Sequence, residues 1–370
     1  MRILHLIHSE GVYGAELILL YLAREQQQRG HQVTVGSMRD PGTPQTPFEQ
    51  LAATYGVSIV PLRIAPRPTP RVRGALLSCA RDLQAQVLHS HGYKANILLG
   101  LVPGAARPPA VTTLHGWTSS RGFSRLRLYE LLDRRAIGRL EAAVVVARSM
   151  LRLPALQALP PPRRHLIENG IPPRATRLAD LVVQGVPAPP AALLQFMQRA
   201  PTLLAIGRLS AEKNFSQLIA AFAQARSQGG GAPQLLIIGE GPERAALARQ
   251  IDALGLAPSV QLGGYLAGAD RLLGEARGFV MSSLTEGMPL VLMEALQWRV
   301  PILATSVGAI PELLRGGAGQ LVPPADLGAL TAGLVGLLQA SAPPGAAPAD
   351  GHYSSARMAQ EYLDLYETIT

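Results

Sequence analysis

The sequence predicts an α/β fold of two doubly wound domains facing across a cleft, and three observations carry that prediction. Strand-like and helix-like patterns alternate almost throughout, the arrangement that builds parallel sheets covered by helices. The alternation runs in two series, separated by a stretch rich in proline: Pro172, Pro173, Pro187, Pro189 and Pro190. The length of 370 residues exceeds what one ordinary core holds, and 48% hydrophobic residues supply apolar surface for two.

The first series opens at residues 2–7 (RILHLI), a short apolar run that reads as a buried strand. It lacks the long apolar core and small-residue cleavage site of a signal peptide. Gly11 to Gly14 then form a tight loop. From Ala15 the apolar Leu17, Leu20, Tyr21 and Ala23 follow helical spacing until Gly30 stops the helix. Further strands are expected at 31–37, 57–62, 87–91, 110–115 and 142–147, with helices in the intervals. The proline-rich stretch reads as an interdomain connection. The second series places strands at 202–207, 234–239, 259–264, 278–283 and 300–305, followed by helices near Phe215, Pro242, Asp270, Pro289 and Pro311. Residues 341–350 (SAPPGAAPAD) read as a second linker before an amphipathic helix at about 353–368. The domains expected are therefore 1–172 and 200–350, with the final helix, 353–370, packing back on the first. The uncharged stretches 181–198 and 327–349 are too short or too broken by proline to give the ~20 apolar residues that span a bilayer.

Charge divides along the same line. Residues 1–172 hold 21 Lys and Arg against 10 Asp and Glu, and residues 173–370 hold 13 against 15. The whole net charge of +9 thus comes from the first half, densest between Arg107 and Arg164. A basic half favours an anionic partner, and a membrane surface fits better than nucleic acid, because no interleaved aromatic surface or known module accompanies the arginines. Arg121, Arg125, Arg127, Arg134 and Arg135, interspersed with Leu126, Leu128, Leu131 and Leu132, are the expected contact residues. The single cysteine, Cys79, cannot form an internal disulfide, which suits a reducing cytoplasm.

The segment LTEGMPLVLMEAL, residues 284–296, carries the most chemistry. Glu286 follows a buried strand, Gly287 permits a sharp turn, and Pro289 suits the first position of a helix. That helix would aim free backbone N–H groups near Met288, Leu290 and Val291 at a ligand, an anion site suited to a diphosphate. Glu286 and Glu294 would repel a diphosphate, so they are expected to accept hydrogen bonds from hydroxyls. In AIGRLSAEKNFSQLIAAF, residues 205–222, Arg208 and Lys213 flank a strand-to-helix loop where two cations can neutralise a departing diphosphate. Lys213 is one of only two lysines in the chain.

Glu286 and Glu294, with seven residues between them, resemble the E-x7-E motif of the retaining glycosyltransferases of GT-B fold called family 4, or glycosyl transferases group 1. The resemblance extends to the GRL-x-x-x-KG signature at Arg208 and Lys213, with Asn214 in place of glycine. It also takes in the glycine loop after the first strand in GVYGAE, where Gly14 is kept and Tyr13 replaces its partner. TLHGW is similar to the family's strand-end histidine, and LLIIGEGPER to the loop that receives the nucleotide base. VGAIPELL is similar to the segment after the E-x7-E helix. ENGIP resembles the hinge motif, with Pro172 where an acid is usual. Ser282 stands for a usual proline and Trp298–Arg299 for a small–glycine pair.

The resemblance implies a UDP-sugar or GDP-sugar donor held by the C-terminal domain. The N-terminal domain would hold a sugar or lipid-linked sugar acceptor. Transfer would retain anomeric configuration, in bacterial cell-surface polysaccharide or glycolipid synthesis on the cytoplasmic side of the membrane. It makes His115, Arg208, Lys213 and Glu286 the expected catalytic residues. Gly14, Gly239, Gly241, Gly287, Met288, Pro289, Leu290 and Glu294 are the expected donor contacts. No metal or other cofactor is expected, since the sequence has no D-x-D pair and no clustered Cys/His set. His89 and His91 are expected to diverge from their strand and so to form no metal pair. A non-catalytic sugar-nucleotide-binding subunit and a nucleotide-sugar epimerase or hydrolase are the alternatives on the same scaffold. Products formed with and without acceptor separate them.

Overall fold

Every strand pairing within the two sheets is parallel, as the alternation of strands and helices leads one to expect. The computed structural model describes residues 1–9, 11–40, 42–63, 69–116, 125–229, 232–339 and 352–370. They divide into two units, Met1–Pro172 with Tyr353–Thr370, and Pro173–His352.

The first unit holds β1 (Arg2–Ile7), β2 (Gln32–Arg39), β3 (Ser58–Arg63), β4 (Val87–His91), β5 (Ala110–Leu114), β6 (Ala142–Val145) and β7 (Arg164–Leu166). Their spatial order is β3-β2-β1-β4-β5-β6-β7. The central strands β4 and β5 are buried along their whole length, as expected of a parallel sheet covered on both faces. The order reverses direction between β1 and β4, the place in such sheets where the loops part and a ligand can enter at the carboxyl ends.

The last helix, Ser355–Ile369, buries Met358, Ala359, Tyr362, Leu363 and Tyr366 in this unit and packs beside the helix Gly14–Gln28. The chain returns along the segment read as a hinge. Ile171 N–H donates to the Tyr353 carbonyl at 2.9 Å, and Ser355 N–H donates to the Ile171 carbonyl at 3.1 Å. A Cβ on Gly170 would stand 2.1 Å from the Ser354 carbonyl oxygen, so only glycine permits this approach.

The second unit holds β8 (Thr202–Ile206), β9 (Gln234–Ile238), β10 (Val260–Gly264), β11 (Gly278–Met281), β12 (Ile302–Thr305) and β13 (Gln320–Val322), in the order β10-β9-β8-β11-β12-β13. Its switch point lies between β8 and β11. Its core joins Leu203, Phe215, Phe222, Ile237, Leu303 and Leu334 from strands and helices.

Four local expectations are corrected. The edge strands β7 and β13 have three residues each and no apolar run, so nothing in the pattern marks them. The proline-rich stretch is no plain connection: it folds into two helices of the second unit, Arg174–Val183 and Ala191–Arg199, the latter burying Leu193, Phe196 and Met197. The prolines flank these helices rather than break them, Pro173 and Pro190 each standing just before a first turn. The element near Asp270 is a 3₁₀ helix, Ala269–Gly274, and Pro289 is the cap residue before the helix Leu290–Trp298 rather than its first residue.

Candidate active site

The two units carry separate clusters at the carboxyl ends of their strands, each beside its own switch point.

In the second unit, the loop after β8 carries Lys213 and the loop after β11 carries Glu286. Their side chains meet, Lys213 Nζ donating to Glu286 Oε1 at 2.5 Å. Ser283 Oγ donates to the same oxygen at 2.6 Å. The two loops are fastened by Ser282 Oγ on the Lys213 carbonyl at 2.9 Å and Leu284 N–H on the Glu212 carbonyl at 2.7 Å. Ser282, which occupies the place of a usual proline, thus supplies a hydroxyl tie between them. Asn214 adopts a left-handed conformation with φ +54°, which glycine takes freely and asparagine takes at lower cost than most residues. Arg208 lies on the same loop with an exposed side chain.

Gly287 is not among the described glycines with positive φ. The glycine with positive φ is Gly308, at +58° in the loop after β12, which packs against this turn so closely that an added Cβ would stand 2.2 Å from the Glu286 carbonyl oxygen. Gly239 and Gly241 face backbone as well: a Cβ would stand 1.8 Å from the Gly207 carbonyl oxygen in one case and 2.3 Å from that of Leu209 in the other. Met288 is buried, and the first-turn amides of the helix after Pro289 belong to Leu290, Val291 and Leu292.

Glu294 lies deeper on that helix, in a buried cluster outside the expected set. Arg177 Nη1 donates to Asp270 Oδ2 at 2.5 Å and to Glu294 Oε1 at 3.2 Å, and Arg177 Nη2 donates to Gln297 Oε1 at 3.1 Å. Burial pushes the Glu294 carboxyl up to about 8; the Asp270 carboxylate pushes the same way and Arg177 opposes. One guanidinium shared by two buried carboxylates leaves Glu294 the weaker claimant. Arg177 escaped sequence reasoning because it lies inside the stretch read as a connection. Trp298 and Arg299 close this helix. The Trp298 ring lies 4.5 Å beneath the Arg174 guanidinium, and Arg299 takes the left-handed position, φ +56°, that glycine usually fills.

In the first unit, His115 follows β5 and belongs to a buried row of imidazoles. His115 Nε2 lies 3.0 Å from His91 Nδ1, His91 Nε2 lies 3.0 Å from His5 Nδ1, and His5 Nε2 lies 2.9 Å from Gln26 Oε1. His89 bonds Tyr366 at 2.5 Å and Thr113 at 2.8 Å, and its ring centroid lies 4.2 Å from that of His91. The expected divergence of His89 and His91 is therefore wrong. Residues two apart on a strand share a face. Nitrogen atoms of His5, His89 and His91 all lie within 4.8 Å of one another, but both nitrogens of each ring already have hydrogen-bond partners. Burial lowers the pKa of all four imidazoles, to about 4 for His5 and His115. Beside this row, Lys94 Nζ contacts the His8 ring at 3.1 Å. Gly14, by contrast, is the exposed first residue of its helix.

Comparison with known proteins follows the division into units. Residues 12–175 match the family model Glycosyltransferase Family 4, and residues 200–340 match the model Glycosyl transferases group 1. A Bacillus subtilis protein named for teichuronic acid biosynthesis, the glycosyltransferase TuaC, is 26% identical over 71% of this chain, which spans 64% of that relative's length. The 2-deoxystreptamine N-acetyl-D-glucosaminyltransferase of Streptomyces fradiae is 26% identical over 87% of this chain and 82% of its own. Among solved structures, Anabaena HepE in complex with UDP-glucose superposes with a TM-score of 0.76 over all of both chains, at 19% identity.

Proposed function

The chain belongs to the GT-B glycosyltransferases of family 4, and from that membership we propose that it moves a sugar from a nucleoside diphosphate sugar to an acceptor sugar with retention of configuration. The observation that carries this reading is the Lys213–Glu286 pair at the switch point of the second sheet. There Lys213 and Arg208 stabilise the charge that develops on the departing diphosphate, aided by the amides after Pro289. Glu286 then accepts a hydroxyl of the transferred sugar, and Glu294 lies further along the same helix towards the ribose. In the first unit, His115 is the residue that meets a sugar hydroxyl. With two cations and a helix terminus for the leaving group, no metal is required.

The acceptor is a sugar or lipid-linked sugar of surface polysaccharide or glycolipid assembly, the class of process for which the Bacillus subtilis relative is named. UDP-glucose, present in the HepE structure, is the first donor to try. The enzyme works in the cytoplasm at the inner face of the membrane. Among the described residues no helix is long and apolar enough to cross a bilayer. The helix Arg125–Ile137 exposes Leu128, Leu131, Arg134 and Arg135, a mixed surface that suits anionic lipid. Arg121 lies outside the described residues, as do the side chains of Arg125, Leu126 and Arg127.

Thermal shift against UDP-sugars and GDP-sugars tests the reading. A donor at 100 times its Kd is expected to add about 2.7 kcal/mol of stability, and the same donor is expected to support transfer in the presence of EDTA. Stabilisation by no nucleotide sugar would overturn the function. Loss of transfer on chelation, restored by Mg²⁺ or Mn²⁺, would overturn metal independence.

A further inference from the structure

The row of imidazoles has a direction. A neutral imidazole offers one N–H donor and one bare nitrogen acceptor, so rings bonded nitrogen to nitrogen must all point the same way. His5 on β1, His91 on β4 and His115 after β5 form such a row across three neighbouring strands, and Gln26 stands at its inner end. The Gln26 carbonyl oxygen can only accept, so His5 carries its proton on Nε2. His5 Nδ1 then accepts from His91 Nε2–H, and His91 Nδ1 accepts from His115 Nε2–H.

Neighbouring groups agree with that orientation of the Gln26 amide. In that orientation Gln26 Nε2 faces the Tyr366 hydroxyl oxygen at 3.5 Å, which leaves the hydroxyl proton for His89 Nδ1 at 2.5 Å. Gln26, His5 and His91 are buried, and burial holds the three rings neutral. The row ends on an atom with nothing to satisfy it: His115 Nδ1 is buried and has no hydrogen-bond partner among the described residues.

We infer that His5 and His91 are positioning residues that fix the His115 proton on Nε2, leaving Nδ1 as a bare acceptor for a hydroxyl of the bound sugar. The identity of that hydroxyl donor as a sugar rests on the proposed function; the tautomer does not. A neutral acceptor takes a hydroxyl proton and gives an anion no charge to bind, so this position recognises the polyol and not the diphosphate. A lone imidazole in water exchanges between both tautomers. The row removes that freedom before any ligand arrives, which is the use of a supporting shell.

The test is ¹⁵N-histidine NMR of the ligand-free full-length protein, with rings assigned by single substitutions. His5, His91 and His115 are each expected to show a protonated Nε2 and a bare Nδ1 as the sole tautomer at neutral pH. In His91→Phe, His115 is expected to revert to the mixed tautomers of an unconstrained imidazole, while the half-buried His165, outside the row, keeps its wild-type signals. Gln26→Leu is expected to loosen all three rings, and serves if His91→Phe does not fold. A proton on His115 Nδ1 in the wild type, or an unchanged single tautomer in both variants, would overturn the inference. Addition of UDP-glucose separately reads the proposed function: with a donor bound, the His115 Nδ1 resonance is expected to move. No response there would count against the donor and leave the tautomer result standing.

Discussion

The two units share one sheet order around the switch point and place polar groups at the same edge, yet they solve the electrostatics of that edge in opposite ways. The first unit uses neutral groups: four imidazoles, two tyrosines, a threonine and a glutamine, hydrogen-bonded and buried. The second uses ions: Lys213 against Glu286, and Arg177 against Asp270 with the Glu294 carboxyl beside them. The scaffold thus decides where a site forms, and side chains decide what it can recognise. A neutral row can hold a sugar by hydroxyl hydrogen bonds without attracting phosphate. An ionic cluster can take up the charge of a leaving diphosphate, but only while each ion keeps a partner.

That dependence on partners sets the largest expected effect. Arg177→Met removes the cation shared by two buried carboxylates and is expected to cost the second unit about 3–5 kcal/mol, read by denaturant unfolding. Combining it with Asp270→Leu is expected to restore part of the loss, since the Asp270 charge is gone and the Glu294 carboxyl, already raised to about 8, takes up a proton. A loss below ~1 kcal/mol would mean that water reaches the cluster and that the contrast between the units is weaker than drawn.

Lys213→Ala is expected to lower kcat by roughly 10²-fold or more with little change in folding stability, because its ion pair is partly exposed and its charge acts on the leaving group. Glu286→Ala is expected to lower turnover as well, whereas Glu294→Ala is expected to act chiefly on donor affinity. Equal and mild effects at all three positions would place the chemistry elsewhere.

How far the sequence exposes this arrangement depends on the range of the interactions. β4 and the strand at 2–7 are legible to the residue, because each is a short run of strand length, with the apolar Val87 and Leu88 opening one and Ile3, Leu4, Leu6 and Ile7 filling the other, closed by a glycine-containing loop. β7 and β13 are not, since a three-residue edge strand owes its existence to its neighbour. Lys213 and Glu286 stand out by their motifs, but their 2.5 Å contact needs β8 and β11 side by side. His5, His89 and His91 were visible as polar residues inside apolar strands, and the two-residue period puts His89 and His91 on one face. Their connection to His115 and Gln26 joins four separate stretches of chain, which no local pattern encodes. Arg177 was hidden by composition, the prolines around it suggesting a linker where two helices form.

The smallest effect is the pH dependence of Glu294, which opposes in sign that of the buried imidazoles of the first unit. Stability rises with pH wherever the unfolded chain binds more protons than the folded one. His5 and His115 titrate near 6.5 when unfolded and near 4 when folded, so between those values the unfolded chain holds the extra protons. The first unit is therefore expected to lose stability as pH falls from 6.5 towards 4, by about 3 kcal/mol for one such imidazole. Glu294 runs the other way. Its carboxyl titrates near 4.5 when unfolded and near 8 when folded, so the folded state holds the extra proton in that window. The second unit is expected to lose stability as pH rises through it, at no more than about 1.4 kcal/mol per pH unit, less whatever Arg177 restores to the ionised form. Below pH 6.5 the imidazoles outnumber the carboxyl and mask it. Above pH 6.5 the acid limb is over, the Asp133 carboxyl lying at about 6, and Trp298, one turn along the same helix as Glu294, reports on its unit in a Trp117→Phe background. Glu294→Gln keeps the shape and removes the titration, so it is expected to flatten the decline between pH 6.5 and 8 while leaving the acid limb unchanged. A decline that survives in Glu294→Gln would show that Glu294 is ionised in the folded protein, and that Arg177 serves both carboxylates equally.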